Sequence, residues 1–220
     1  MKDRRFSVPE QKNYELAYAF AFDIASKKLA EIKDIEEQCR KSGTEYRATQ
    51  SGGEVIINYM GRPYKITLQG VKISPPDSDE EAPMREKVLI LHYFLSAKGT
   101  ALTNNLITFR ELPEGKVYLP TFNKRTTYPL VKYFGENPLL LVEAAEKMGG
   151  SKADYGDAAV TFDAFRYVPV TIVMWKGDDE FPPEGNILFD STVTDYLSTE
   201  DTIVLCETIT WKLVRLLREA

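Results

Sequence analysis

Residues Phe165 to Asp190, FRYVPVTIVMWKGDDEFPPEGNILFD, constrain the fold more than any other stretch of this chain. Val168, Val170, Ile172 and Val173 form a β-branched run that closes on Met174 and Trp175, the make-up of a central strand covered on both faces. Gly177-Asp178-Asp179-Glu180 then sets three carboxylates beside Trp175 and Phe181. Pro182-Pro183 excludes a helix there, and Asn186–Phe189 reads as a second, short strand. Two such strands joined by an acidic turn require a sheet.

The remainder supplies that sheet with partners. Apolar positions from Tyr14 through Phe20, Ile24, Leu29 and Ile35 to Cys39 follow a 3.6-residue period, which predicts one long helix over about 11–42, stopped by Gly43. Its first half, YELAYAFAFDIA, is apolar almost all round and is expected to be buried; residues 1–10 read as a polar lead-in. EYRATQ, EVIINYM and YKITLQGVKI alternate and are separated by Ser51-Gly52-Gly53 and Gly61-Arg62-Pro63, a β-meander. Residues 74–83, SPPDSDEEAP, form an acidic Pro-rich loop, expected to be exposed and mobile and to mark a subdomain boundary. Helices follow at Met84–Ala97, Pro129–Phe134 and Pro138–Met148, with a short strand at Ile107–Arg110 and an irregular basic segment over Leu112–Tyr128. Strands near Ala158–Phe165 and Pro169–Trp175 come next. A last helix starts at Ser198, where Asp201 completes a capping box. The sum is α+β: antiparallel ribbons packed with a long N-terminal helix, a central helix and a C-terminal helix.

A chain of 220 residues with 43% apolar residues is enough for one α+β domain with a genuine core. A net charge of −5 argues against a nucleic-acid partner, since phosphate binding needs concentrated Lys and Arg. Cys39 and Cys206 lie on apolar helix faces without metal-ligand spacing and read as buried free thiols, which suits a reducing cytoplasm. The first residues carry no apolar signal region and no run of about 18 apolar residues occurs, so a cytoplasmic protein without a membrane partner is expected.

His92 is the one histidine, in LILHYFL on the central helix. It is either a core histidine, an axial ligand to a haem or corrinoid, or a general base. A single histidine already excludes HExxH zinc sites and two-histidine iron triads. Asp178, Asp179 and Glu180 form either a solvated turn, a divalent-cation site, or an acid–base pair beside two aromatic rings. Lys116, Lys124 and Arg125 interleave with Tyr118, Phe122 and Tyr128, a pattern that suits an anionic ligand with an apolar body. Arg110 would serve the same site. Neither GxxxxGK[ST] nor GxGxxG occurs.

The blocks LHYFLSAKG, FRELPEG, WKGDDEFP and LFD followed by YLSTED resemble an uncharacterised prokaryotic family, domain of unknown function 3786, over about Met84–Glu207. The resemblance implies a setting in anaerobic bacteria and archaea, where some members carry a four-cysteine iron–sulfur module like that of corrinoid iron–sulfur proteins. This chain lacks those cysteines, and Ile90 stands where a corrinoid-type DxH motif needs Asp.

Together these features lead to an expected ligand-binding or accessory protein, with corrinoid, haem or another anionic small molecule as ligand. The expected pocket combines His92, Tyr93, Arg110, Tyr118, Phe122 and Trp175. One alternative is an enzyme built on the Asp178-Asp179-Glu180 turn with a divalent cation. The other is an adaptor that docks on a redox or methyl-transfer protein through Asp77–Glu81 and the Trp175 turn.

Overall fold

The chain enters the fold through α1 (Pro9–Ala30), α2 (Ile35–Ser42) and the meander β1 (Glu45–Arg47), β2 (Glu54–Tyr59), β3 (Arg62–Thr67) and β4 (Lys72–Ser74). Next come α3 (Met84–Ser96), β5 (Leu106–Thr108), α4 (Gly115–Arg125), α5 (Thr127–Phe134) and α6 (Leu139–Glu146). β6 (Ser151–Ala153), β7 (Ala158–Phe165), β8 (Val168–Trp175), β9 (Glu184–Asp190) and α7 (Thr199–Arg218) complete it. The computed structural model describes residues 9–50 and 52–219, with side chains from Glu15. The sequence segments 1–8 and Ser51, and the side chain of Tyr14, lie outside the described residues.

The architecture is α+β, with two antiparallel sheets. The first has the order β1-β2-β3-β4, and the second β5-β9-β8-β7-β6. β8 lies in the middle of the second sheet, and its Val168, Val170, Ile172, Val173 and Met174 are all buried. Each fully buried aliphatic side chain of this kind stabilises the fold by about 1.5–3 kcal/mol. Pro169 is tolerated in that strand because it stands at the strand's start, opposite Asp163, where the β7–β8 register shifts. The two sheets meet where Met60 N–H donates to Ala164 O at 3.0 Å. One continuous set of buried side chains, including Ile57, Tyr93, Phe165 and Leu205, runs through both sheets and the central and C-terminal helices.

Several expectations are corrected by this arrangement. The N-terminal helix is two helices, because Asp34 caps α2 by accepting Glu37 N–H at 2.8 Å. The Asp34-x-x-Glu37 spacing is a helix-start signal inside a periodic run. Nor is the first half of α1 buried all round: Leu16 and Phe20 are 69% and 68% exposed, and only the row Tyr18, Phe22, Ala25 and Leu29 packs inward. Leu112–Tyr128 is not irregular. It folds as α4 and the start of α5 despite Pro120. The cost of an internal proline is offset by Phe122, which stacks on Phe109 at 4.0 Å with planes 6° apart. Arg110 sits not in a strand but in a 3-10 turn over Phe109–Glu111, whose capping box joins Thr108 and Glu111. The acidic loop 74–83 is exposed at Asp77, Asp79, Glu80 and Glu81. It is pinned at its ends, with Ser74 and Ala82 buried and Ala82 N–H donating to Ile73 O at 2.8 Å.

Candidate functional site

A cavity of about 580 Å3 lies at the seam between the two sheets. α2 supplies one wall. Gly43 closes the helix in the left-handed conformation, φ +65°, and its N–H donates to Arg40 O. A Cβ at that position would also stand 2.6 Å from Arg166 Cγ, so glycine is required both for the backbone and for the close approach of the β7–β8 turn. Ser42 donates its hydroxyl to Gln38 O at 2.8 Å and lies 2.8 Å from Thr44 Oγ1. The opposite wall is the end of β7 with the turn that follows it, which carry Asp163 and then Arg166 and Tyr167.

The cavity floor is aromatic. Tyr93 of α3 stacks on Phe165 at 4.1 Å with planes 6° apart, and Phe165 lies 5.1 Å from Tyr59. Tyr93 also stacks on Tyr196, which in turn stacks on Tyr167 at 5.3 Å. Tyr93 Oη donates to Ser42 O at 2.8 Å, and Tyr196 Oη donates to Thr100 O. Burial raises the pKa of the Tyr93 phenol. Tyr196 is pushed up to about 12, first by burial and then by neighbouring Tyr167, Asp195 and Asp190. Both phenols therefore stay protonated near neutral pH and act as donors rather than bases.

The residues singled out by sequence do not converge on this site. Tyr93 lines the seam cavity. Tyr118 lines a different one, about 440 Å3, between α4 and the start of α7, together with Arg125, Ser198 and Glu200. Phe122 is buried in the core, stacked on Phe109 and edge-on to Phe189. Arg110 is exposed on its 3-10 turn, and Trp175 is 41% exposed at the end of β8. Lys116, Lys124 and Tyr128 are exposed on α4 and α5, whereas Arg125, with Arg85, is ion-paired to Glu207.

His92 is part-buried, with its side chain 31% exposed. Its Nδ1 lies 2.7 Å from Asp201 Oδ1, and Asp201 also accepts the Ser198 hydroxyl at 2.6 Å. The Ser198 cap of α7, which accepts Asp201 N–H, is thus tied through the Asp201 carboxylate to α3. His92 is not among the residues lining the seam cavity or the cavity at Tyr118.

The acidic turn is closed by its own backbone. Asp178 accepts the N–H groups of Phe181 at 2.8 Å and Glu180 at 2.9 Å, which hold its carboxyl below the usual range. Among the described residues no three His, Cys, Asp or Glu side chains gather to hold a metal ion, so Asp178, Asp179 and Glu180 do not form a ligand set. No described helix is long and apolar enough to cross a membrane. Cys39 and Cys206 are buried free thiols, and burial raises the pKa of each.

Sequence reasoning missed Ser42, Asn58, Asp163 and Arg166, which line the seam cavity. The usable signal was Gly43, read only as a helix stop. It also missed Asp190, a buried carboxylate that accepts from Thr103 N and Oγ1, Asn104 N, and Thr192 N and Oγ1. That knot fastens the loop after α3 to the end of β9.

By architecture this is a two-sheet α+β protein with a cavity at the seam of its sheets and, among the described residues, no group of three His, Cys, Asp or Glu placed to hold a metal ion. The chain belongs to the family described as domain of unknown function (DUF3786), whose model matches residues 34–211. The match begins at the cap of α2 and takes in the meander, reaching further toward the N-terminus than Met84. No curated protein and no solved structure matches the chain.

Proposed function

We propose that this chain is a non-catalytic binding protein for a small polar molecule bearing a carboxylate or phosphate, held in the seam cavity. The observation that carries the reading is the pair Arg166 and Asp163 on one wall. Both side chains are exposed, and among the described residues neither has an ion-pair partner within 4 Å. An uncommitted guanidinium in an aromatic-floored cavity suits an anionic group, and Asp163 suits a hydroxyl or amino donor on the same ligand. His92 and Trp175 play no part in this site, and a tetrapyrrole gains no support from it.

The test is a thermal-shift screen of small carboxylates and phosphate esters against the wild type and Arg166→Ala. One ligand class is expected to raise the wild-type melting temperature, and the variant is expected to lose that response while melting within a few degrees of the wild type alone. An undiminished response in the variant overturns the assignment.

A second reading, docking on a protein partner, is favoured by the exposed rings of Trp175 and Phe181 around the acidic turn. It is tested by copurification with a Trp175→Ser/Phe181→Ser variant. A partner retained equally by both proteins ends that reading.

A further inference from the structure

A second, smaller recess lies on the other side of the β2–β3 hairpin, where that hairpin meets the end of α6 and the last turns of α7. It holds about 160 Å3 and is lined by Tyr59, Arg62, Tyr64, Lys147, Lys212 and Arg215, with Met60, Met148 and Leu216 completing it. Four cations and no carboxylate line it. Arg62 and Lys147 are exposed and have no ion-pair partner among the described residues. Lys212 is held at 2.8 Å by Glu86, and Arg215 at 3.5 Å by the exposed Glu219, so both already have acidic neighbours outside the recess.

Charge alone would describe a solvated surface. The second observation is Tyr59, which is 1% exposed and whose hydroxyl has no hydrogen-bond partner. A buried hydroxyl without a partner is destabilising and rare in folded proteins. Lys212 Nζ lies 5.5 Å from the Tyr59 ring, so this flexible side chain covers it from the α7 side. At the end of α6, Ala145 O and Glu146 O accept from the N–H groups of Met148, Gly149 and Gly150. A neighbouring recess of about 270 Å3 shares Lys212 and Arg215 and holds Arg85, whose Nε is a second buried donor without a partner.

We propose that the recess at Tyr59 binds a phosphoryl group, with Arg62 and Lys147 supplying charge and the Tyr59 hydroxyl donating to one oxygen once Lys212 swings aside. The volume suits one tetrahedral oxyanion rather than a large ligand. Both an inorganic phosphate ion and the terminal group of a phosphate monoester present this chemistry.

The experiment titrates inorganic phosphate into the full chain by calorimetry at constant ionic strength, alongside Tyr59→Phe, Arg62→Gln/Lys147→Gln and Arg166→Ala. Saturable binding is expected in the wild type and in Arg166→Ala, and no saturable binding in the double variant. Tyr59→Phe is expected to bind roughly ten-fold more weakly, the loss of one hydrogen bond to a charged group, while melting at or above the wild-type temperature. Glycerol 3-phosphate is run in parallel: tighter binding than phosphate assigns the site to an ester, and equal binding to the free ion. Absence of saturable binding in the wild type at millimolar phosphate overturns the proposal, as does unchanged affinity in Tyr59→Phe. Because Arg166 lies outside this recess, failure here is separable from failure of the seam-cavity reading.

Discussion

The β2–β3 hairpin walls two recesses that treat their polar atoms in opposite ways. On the seam side, Tyr93 Oη donates to Ser42 O, and Ser42 Oγ donates to Gln38 O. The framework is complete before any ligand arrives, and the uncommitted groups are the long, exposed Arg166 and Asp163. On the α7 side the uncommitted groups include a buried hydroxyl, Tyr59 Oη, and in the adjoining recess a buried guanidinium nitrogen, Arg85 Nε. A satisfied framework costs nothing to keep empty, whereas a buried orphan donor lowers stability until something accepts from it. Two aromatic hydroxyls on one ring stack thus carry opposite energetic signs.

The comparison breaks most readily at Gly43. Replacing it with Ala puts a side chain at φ +65° and against Arg166 Cγ, and should lower stability by about 1–3 kcal/mol. Urea denaturation measures the loss, and an unchanged midpoint would mean that the α2–turn contact is not tight.

The knot at Asp190 comes next. Burial by itself would raise this carboxyl, but its hydrogen bonds from Thr192 and Thr103 hold it below the usual range. A depressed folded-state pKa contributes stability above the ordinary carboxylate range, and that contribution is lost as pH falls through the folded value. Asp190→Asn should cost about 1–3 kcal/mol near neutral pH and should flatten the acid limb of the stability curve. An unaltered acid limb would assign that limb to other carboxylates.

The sharpest contrast uses one substitution at two sites. Tyr93→Phe leaves Ser42 O without its donor and should cost about 1 kcal/mol. Tyr59→Phe removes an orphan and should be neutral or stabilising. Equal losses at both positions would show that the Tyr59 hydroxyl has an acceptor after all.

The smallest expected effect belongs to the acidic turn. Magnesium or calcium should shift the melting temperature negligibly, since the three carboxylates do not gather. A clear rise that Asp179→Asn removes would restore a cation site there.

Much of the scaffold is legible in local pattern. The β-branched run of β8 is a central strand, the Gly-separated alternation of residues 45–74 is a meander, and Ser198 with Asp201 starts α7, because period, turn residues and caps are local signals. Where local signals conflict, the reading fails. Pro113 and Pro120 argue against a helix over Leu112–Tyr128, but stacking of Phe122 on Phe109 prevails. An apolar all-round α1 predicts burial, but α1 packs on α3 along one row, and Leu16 and Phe20 stay exposed.

The candidate site lies on the other side of that divide. Chemistry-bearing residue types are visible in the sequence, and of the residues singled out there Tyr93 lies at the seam cavity. The grouping of Tyr93 with His92, Arg110, Tyr118, Phe122 and Trp175 was not supported, since these side chains are dispersed over the core, two cavities and the surface. Ser42, Asn58, Asp163 and Arg166 come together only because Gly43 allows the end of α2 to abut the β7–β8 turn, and because Met60 and Ala164 join the sheets. Sequence alone determined the segments whose local signals agree, such as β8, the meander and α7, since those choices rest on contacts a few residues apart. Which polar side chains share a cavity, and which buried hydroxyl lacks a partner, was decided by packing between segments a hundred residues apart, about which no local period carries information.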